Sequence, residues 1–296
     1  MDKDIRVLVT GGYGFVGHNL VDYLQCSRYT HVLGEHAPDW ADTSKTHDFF
    51  DRNRPTHVFH CAGFVRGIAG NLANQEKAYR VNCQINTNVV AACVEHKVKK
   101  VVALGTVAMY PGYDRCWREE EVMSDEPDAE YGYAMAKRGM LAHLEVSGLN
   151  WAMPICTNMY GPHDRFDKEH GHVIPSLVRK FHERDVTVWG NGSQRRDFMY
   201  IKDAVRALVT IMEKGEGPIN MATGETHSIR DVTNILSAYT GCDTITWDET
   251  KPLGHTHRSY DVGKLAALGF KPEYTLEQGL KETIDWYAEN EKTARK

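Results

Sequence analysis

The chain has 296 residues, 42% hydrophobic and 25% charged, with a formal net charge of −5. That composition fits a globular protein, and the length predicts one large domain with a second lobe. The acidic balance excludes a global basic field for nucleic acid or an anionic membrane, though not a local basic pocket for a phosphorylated ligand.

In chain order, residues 5–10 are a β-rich apolar run that ends in glycines. The run begins without a signal-peptide core, and no segment approaches the about 18 apolar residues of a membrane span. The seven cysteines, Cys26, Cys61, Cys83, Cys93, Cys116, Cys156 and Cys242, are odd in number and scattered, with no CxxC pair. They predict reduced thiols in a cytoplasmic protein, not disulfides or a metal site.

The glycines stand at Gly11, Gly14 and Gly17, between the first strand and a helix predicted over 15–24. A strand, a glycine turn and a helix in that order form a dinucleotide-binding fingerprint. Gly11 permits the tight turn, Gly14 the approach of the pyrophosphate, and Gly17 close packing of the helix, whose N-terminus faces the phosphates. A second strand is predicted over 31–34. Glu35 follows it, and no arginine stands between Gly34 and Lys45. An acidic group there bonds a ribose diol and repels a 2′-phosphate, so the cofactor is NAD or NADP with a lean toward NAD.

Helices over 46–52, 76–96 and 133–146 alternate with strands over 57–62, 101–106 and 151–160. This alternation predicts an α/β fold, a Rossmann-type doubly wound parallel sheet covered by helices on both faces. Thr106 ends the strand over 101–106, at the sheet edge where ligands bind. Tyr133 and Lys137 lie 27 and 31 residues further on, at i and i+4 of one helix. A lysine one turn away lowers the tyrosine pKa and favours the phenolate, which eases proton exchange with a substrate carbonyl, and the Thr106 hydroxyl can hold the same oxygen. Tyr260 and Lys264 repeat the spacing without a cofactor motif nearby, so position decides for Tyr133.

Beyond 161 the rhythm loosens. Helices are expected over 173–183, 202–214, 228–239, 262–268 and 276–289, with short strands over 186–190 and 218–223. The division expected is a dinucleotide-binding domain over 1–161, rejoined by about 187–223. A smaller mixed α/β substrate lobe takes 162–186 and 224–296.

Gly11 to Gly17, Thr106, Tyr133 and Lys137 resemble the extended short-chain dehydrogenase/reductases. Several stretches resemble one branch of them, the GDP-L-fucose synthases (GDP-4-keto-6-deoxymannose epimerase/reductases). They are His47-Asp48-Phe49-Phe50, Val65-Arg66-Gly67-Ile68, Thr157-Asn158-Met159-Tyr160-Gly161-Pro162-His163-Asp164, His172-Val173-Ile174-Pro175, and Val188-Trp189-Gly190 through Arg196. The resemblance implies a GDP-sugar substrate, hydride transfer at C4 and a homodimer. It makes Thr106, Tyr133 and Lys137 catalytic, with His172 at the position of the family's acid/base histidine. Gly11, Gly14, Phe15, Val16, Gly17, Glu35, Ala62 and Lys137 would hold the cofactor. Asn158, Lys180, Trp189, Arg196 and Arg258 would hold the nucleotide-sugar. An indole that covers a ring and a guanidinium that forks onto a diphosphate suit that task, although a core tryptophan and a surface arginine would look the same in sequence.

Two departures stand out. Ala108 occupies the place of the family cysteine that works with the histidine in C3 and C5 epimerisation, and it cannot carry a proton. Tyr13 and the Glu35 region lack the arginines the family uses for NADPH. Val107 and Ala108 also stand where dehydratase relatives carry an Asp-Glu pair. An NAD-retaining C4 epimerase and an epimerase/reductase relying on His172 remain open, as does an NAD(P)-binding sensor without turnover.

Overall fold

The computed structural model describes residues 5–27, 31–34, 37–127, 130–169, 171–250 and 256–296. Its centre is a seven-stranded parallel sheet. Across the sheet the strands run Gly217–Met221, Trp151–Cys156, Lys100–Ala103, His57–His60, Val7–Thr10 and Val32–Leu33, and Gly105–Thr106 pairs further along Trp151–Cys156. Val7–Thr10 is buried throughout, as is Lys100–Ala103. This is the mark of strands covered on both faces. Val7 and Val9 join one apolar core and Leu8 the other, because successive side chains leave opposite faces of a strand.

The order reverses at the first strand, which has Val32–Leu33 on one side and His57–His60 on the other. Such a reversal opens a crevice at the carboxyl ends of the strands. Gly217–Met221, from late in the chain, closes the far edge against Trp151–Cys156.

The expected helix over 46–52 spans Thr43–Asn53, because the Asp42 side chain caps it by accepting the Lys45 N–H at 3.0 Å. The expected single strand over 151–160 is two. Trp151–Cys156 stays in the main sheet, while Asn158–Tyr160 pairs with Phe198–Tyr200. The expected strand over 101–106 likewise breaks at Leu104. Beyond 161 the expectation of little sheet gives way to three more two-stranded ladders. Val186–Trp189 pairs with Ile245–Asp248, Arg195–Arg196 with His227–Ser228, and Cys116–Trp117 with Ser259–Tyr260. Strands of two to four residues paired across long separations leave no local periodicity to read.

Helices Val173–His182, Ile229–Thr240 and Leu276–Asn290 pack on one another beside the sheet. Among the described residues no helix is long and apolar enough to cross a membrane.

Candidate active site

The chain leaves the first strand through Gly11 at φ +72°, a left-handed conformation that costs glycine little. A Cβ there would lie 2.9 Å from the Ala62 backbone, so the ends of two neighbouring strands meet backbone to backbone. A Cβ on Gly17 would collide with the Gly11 carbonyl oxygen, so helix Phe15–Gln25 starts directly against the turn. Its first turn has no side-chain cap and no acidic residue. The N–H groups and the positive end of the helix dipole are therefore available to an anion.

A buried polar chain links this turn to the helix of the Tyr-Lys pair. Thr10 Oγ1 accepts the Ala62 N–H at 3.1 Å and meets His60 Nδ1 at 2.8 Å. His60 Nε2 meets Asn86 Oδ1 at 3.0 Å, and Asn86 Nδ2 donates to the Ala136 carbonyl at 3.2 Å. Burial pushes the His60 pKa down to about 3, helped by the Lys137 charge. A neutral ring with its proton on Nε2 satisfies every member of the chain.

Helix Tyr131–Val146 carries Tyr133 and Lys137, 8% and 3% exposed. Gly132 lets it dock closely, since a Cβ would meet the Gln75 carbonyl of the neighbouring helix. Arg138 holds the Met109 carbonyl through Nε at 2.9 Å and Nη2 at 2.6 Å. This fixes the helix to the turn Val107–Met109 that follows Thr106. Against the expected lowering by Lys137, burial pushes the Tyr133 phenol well above its ordinary value, with Glu130 adding to it and a Thr106 hydrogen bond opposing. Burial pulls Lys137 down to about 8.

These groups open into one cavity of about 660 Å³. Gly14, Phe15, Val16 and Gly17 line one part, and Thr106, Ala108, Tyr133 and Lys137 another. His172, Asn158, Arg196 and Arg258 also line it. His172 Nδ1 lies 3.3 Å from the Asp164 carboxylate. Burial pulls the imidazole pKa down, but Asp164, with Glu130 adding to it, outweighs that, so the net shift is upward. Arg258 donates to the Pro111 and Tyr110 carbonyls at 2.7 and 3.2 Å, while its buried Nε has no partner among the described residues. Asn158 Nδ2 donates to the Asp197 carbonyl at 3.2 Å.

The remaining residues singled out in sequence lie elsewhere. Gly11 and Ala62 meet backbone to backbone at two strand ends, outside the lining. Lys180 is outside the lining and donates to the Thr187 carbonyl at 2.7 Å. Trp189 is also outside it and 48% exposed. Glu35 lies outside the described residues.

The cavity also brings in residues that sequence reasoning did not assign to it, namely Glu130, Asp164, Arg165, Arg295, Cys61 and Cys156. Cys61 and Cys156, two of the scattered thiols, both reach the wall. Burial pushes Cys156 up to about 12 and Cys61 upward too, so neither is a thiolate at neutral pH. Glu130 precedes helix Tyr131–Val146 and accepts a hydrogen bond from Asn71 Nδ2 at 2.6 Å. Asp164 stood in a motif quoted above, and only its packing against His172 distinguishes it.

Residues 7–222 match the family model described as the NAD dependent epimerase/dehydratase family. GDP-L-fucose synthase 1 of Arabidopsis thaliana is 34% identical over 98% of this chain and 95% of its own length. GDP-L-fucose synthase of Escherichia coli strain K12 is 32% identical over 97% of each. A crystal structure of a GDP-L-fucose synthetase from Naegleria fowleri bound to NADP superposes with a TM-score of 0.89. It is 28% identical and covers 100% of this chain and 98% of the other.

Proposed function

The chain belongs to the NAD dependent epimerase/dehydratase family, and from that premise we propose that it is an NADPH-dependent reductase acting at C4 of a GDP-linked 4-keto sugar. The observation that carries this reading is the single cavity. Gly14 and Gly17 of the glycine turn, the set Thr106, Tyr133 and Lys137, and the cations Arg196 and Arg258 all line it. The tight turn that Gly11 and Gly17 allow, the place of Gly14 in the cavity lining, and the uncapped helix N-terminus fit a dinucleotide.

A dinucleotide held there would supply the hydride. Tyr133 holds the proton that goes to the C4 oxygen, and burial keeps that proton in place at neutral pH, which suits reduction. Thr106 orients the same oxygen. Lys137 stabilises the phenolate left behind and would hold the cofactor ribose. Arg196 and Arg258, which line the cavity, take the diphosphate. The exposed aromatic rings of Tyr79 and Tyr131, on neighbouring packed helices, support a homodimer joined through that surface.

Of the two dinucleotides, the Naegleria fowleri protein bound to NADP supports NADPH over the lean toward NAD that Glu35 suggested. NADPH is expected to bind more tightly than NADH when both are titrated by protein fluorescence. The reverse order would restore the Glu35 reading.

Reduction is expected without exchange at C3 and C5. Removal of a proton from one face and delivery to the other needs two carriers beside the ring carbons. Ala108 lines the cavity and carries no proton, and Cys61 and Cys156 are held as neutral thiols. Incubation of a panel of GDP-sugars, GDP-4-keto-6-deoxymannose among them, with each cofactor in D₂O tests both claims. Mass spectrometry would find a reduced product, and NMR would find retained configuration with no deuterium at C3 or C5. Full exchange at both carbons, abolished in His172→Ala, would assign the proton transfers to His172. Absence of turnover with every GDP-sugar would reject the substrate class.

A further inference from the structure

Outside the cavity, His18, Asp22 and His163 form a second cluster. His18 and Asp22 stand one turn apart on helix Phe15–Gln25, with Nε2 and Oδ2 3.5 Å apart. His163 comes from the loop after Asn158–Tyr160, and its ring centroid is 3.9 Å from that of His18. One ligand atom from each residue lies within 4.8 Å of the other two. We propose that these three side chains bind one divalent cation of the zinc class, with water completing a four-coordinate shell.

The donor set selects the ion. Two imidazoles and one carboxylate suit Zn²⁺, Co²⁺ or Ni²⁺, whereas Mg²⁺ and Ca²⁺ require oxygen donors. With zinc–nitrogen bonds of about 2.0–2.1 Å, neighbouring donors of a tetrahedron are about 3.4 Å apart. His18 and Asp22 already stand at that spacing. The rest closes by side-chain rotation, for which there is room, since all three residues are at least partly exposed.

The frame is already assembled. Asn19 Nδ2 donates to the Phe15 carbonyl at 2.9 Å and to the Pro162 carbonyl at 3.0 Å, which ties the helix to the loop. The Trp286 ring backs His163 at 4.8 Å between centroids. A metal bound here bridges the helix that opens at the dinucleotide turn and the loop whose next residue, Asp164, pairs with His172 in the cavity. Its role is to hold those two walls together.

A second group, His47, Glu95 and His96, serves as the internal control. Its His47 Nε2 is already bonded to Glu95 at 3.0 Å, and Nδ1 lies 3.5 Å from Asp51. The test is titration of the full chain with Co²⁺ and Zn²⁺, followed by calorimetry, by the Co²⁺ absorption spectrum and by thermal unfolding. One equivalent with a tetrahedral Co²⁺ spectrum is expected, together with a rise in Tm on adding Zn²⁺. Changes to groups that merely support a ligand cost about 10–100-fold in metal affinity. His18→Asn and His163→Asn should therefore each weaken binding by about 100-fold or more, and His47→Asn should leave it unchanged. Asp22→Asn, on the exposed helix face, gives the same reading if His163→Asn disturbs the loop. The proposal fails if no ion binds at micromolar concentration, if binding survives both histidine changes, or if His47→Asn abolishes it. None of these readouts depends on turnover, so they stand or fall apart from the reductase reading.

Discussion

Tyr133→Phe is expected to lower kcat by about 10²–10⁴-fold, the usual contribution of a general acid, while the fold and dinucleotide binding stay intact. The substitution removes one hydroxyl from a ring that is 8% exposed and leaves the packing of helix Tyr131–Val146 unchanged. The glycine turn and Lys137 are untouched, so the cofactor should titrate with near-normal affinity. What disappears is the proton that burial holds on the phenol. Thr106 cannot replace it, because a threonine hydroxyl is a far weaker acid than a phenol. Single-turnover kinetics with a saturating reduced cofactor would isolate the chemical step. Near-normal turnover in this variant would remove Tyr133 from the mechanism and favour a different acid, with His172 the first to examine.

Gly17→Ala is expected to weaken dinucleotide binding by about 10–100-fold and to lower Tm. The added Cβ would collide with the Gly11 carbonyl oxygen, lie 2.7 Å from the Gly11 carbonyl carbon, and crowd Gly12 Cα at 3.1 Å. All three are backbone atoms, so no rotamer change relieves the clash and the helix must retreat from the turn. Overpacking of this kind costs about 1–3 kcal/mol, and each 1.4 kcal/mol taken from binding is about tenfold in Kd. The N–H groups at the helix start also move away from the phosphates they serve. Gly139→Ala is the matched control. It lies within helix Tyr131–Val146, where a Cβ meets nothing within 4 Å. It should be neutral or stabilise by about 0.5–1 kcal/mol through backbone entropy. If the two variants bind the dinucleotide alike, the turn is not the cofactor cradle.

The sequence by itself determined the features whose signal is local. Gly11, Gly14 and Gly17 between an apolar run and a helix, and Tyr133 one turn before Lys137, need only spacing along the chain to be recognised. The doubly wound sheet followed from the alternation of apolar runs and helical periods, because parallel strands require crossovers. The tertiary structure decided what depends on distant residues meeting. His60, Asn86 and Thr10 become one buried chain only because two strands and a helix converge. Cys61 and Cys156 reach the cavity from separate strands, and Glu130 and Asp164 flank His172 from separate loops. The ladders of two to four residues beyond 161 depend on partners far along the chain. His18 and His163 are 145 positions apart in sequence, and no spacing along the chain foretells that their rings lie 3.9 Å apart. Local periodicity reports which face of an element is apolar, and packing of those faces then chooses which polar side chains share a site.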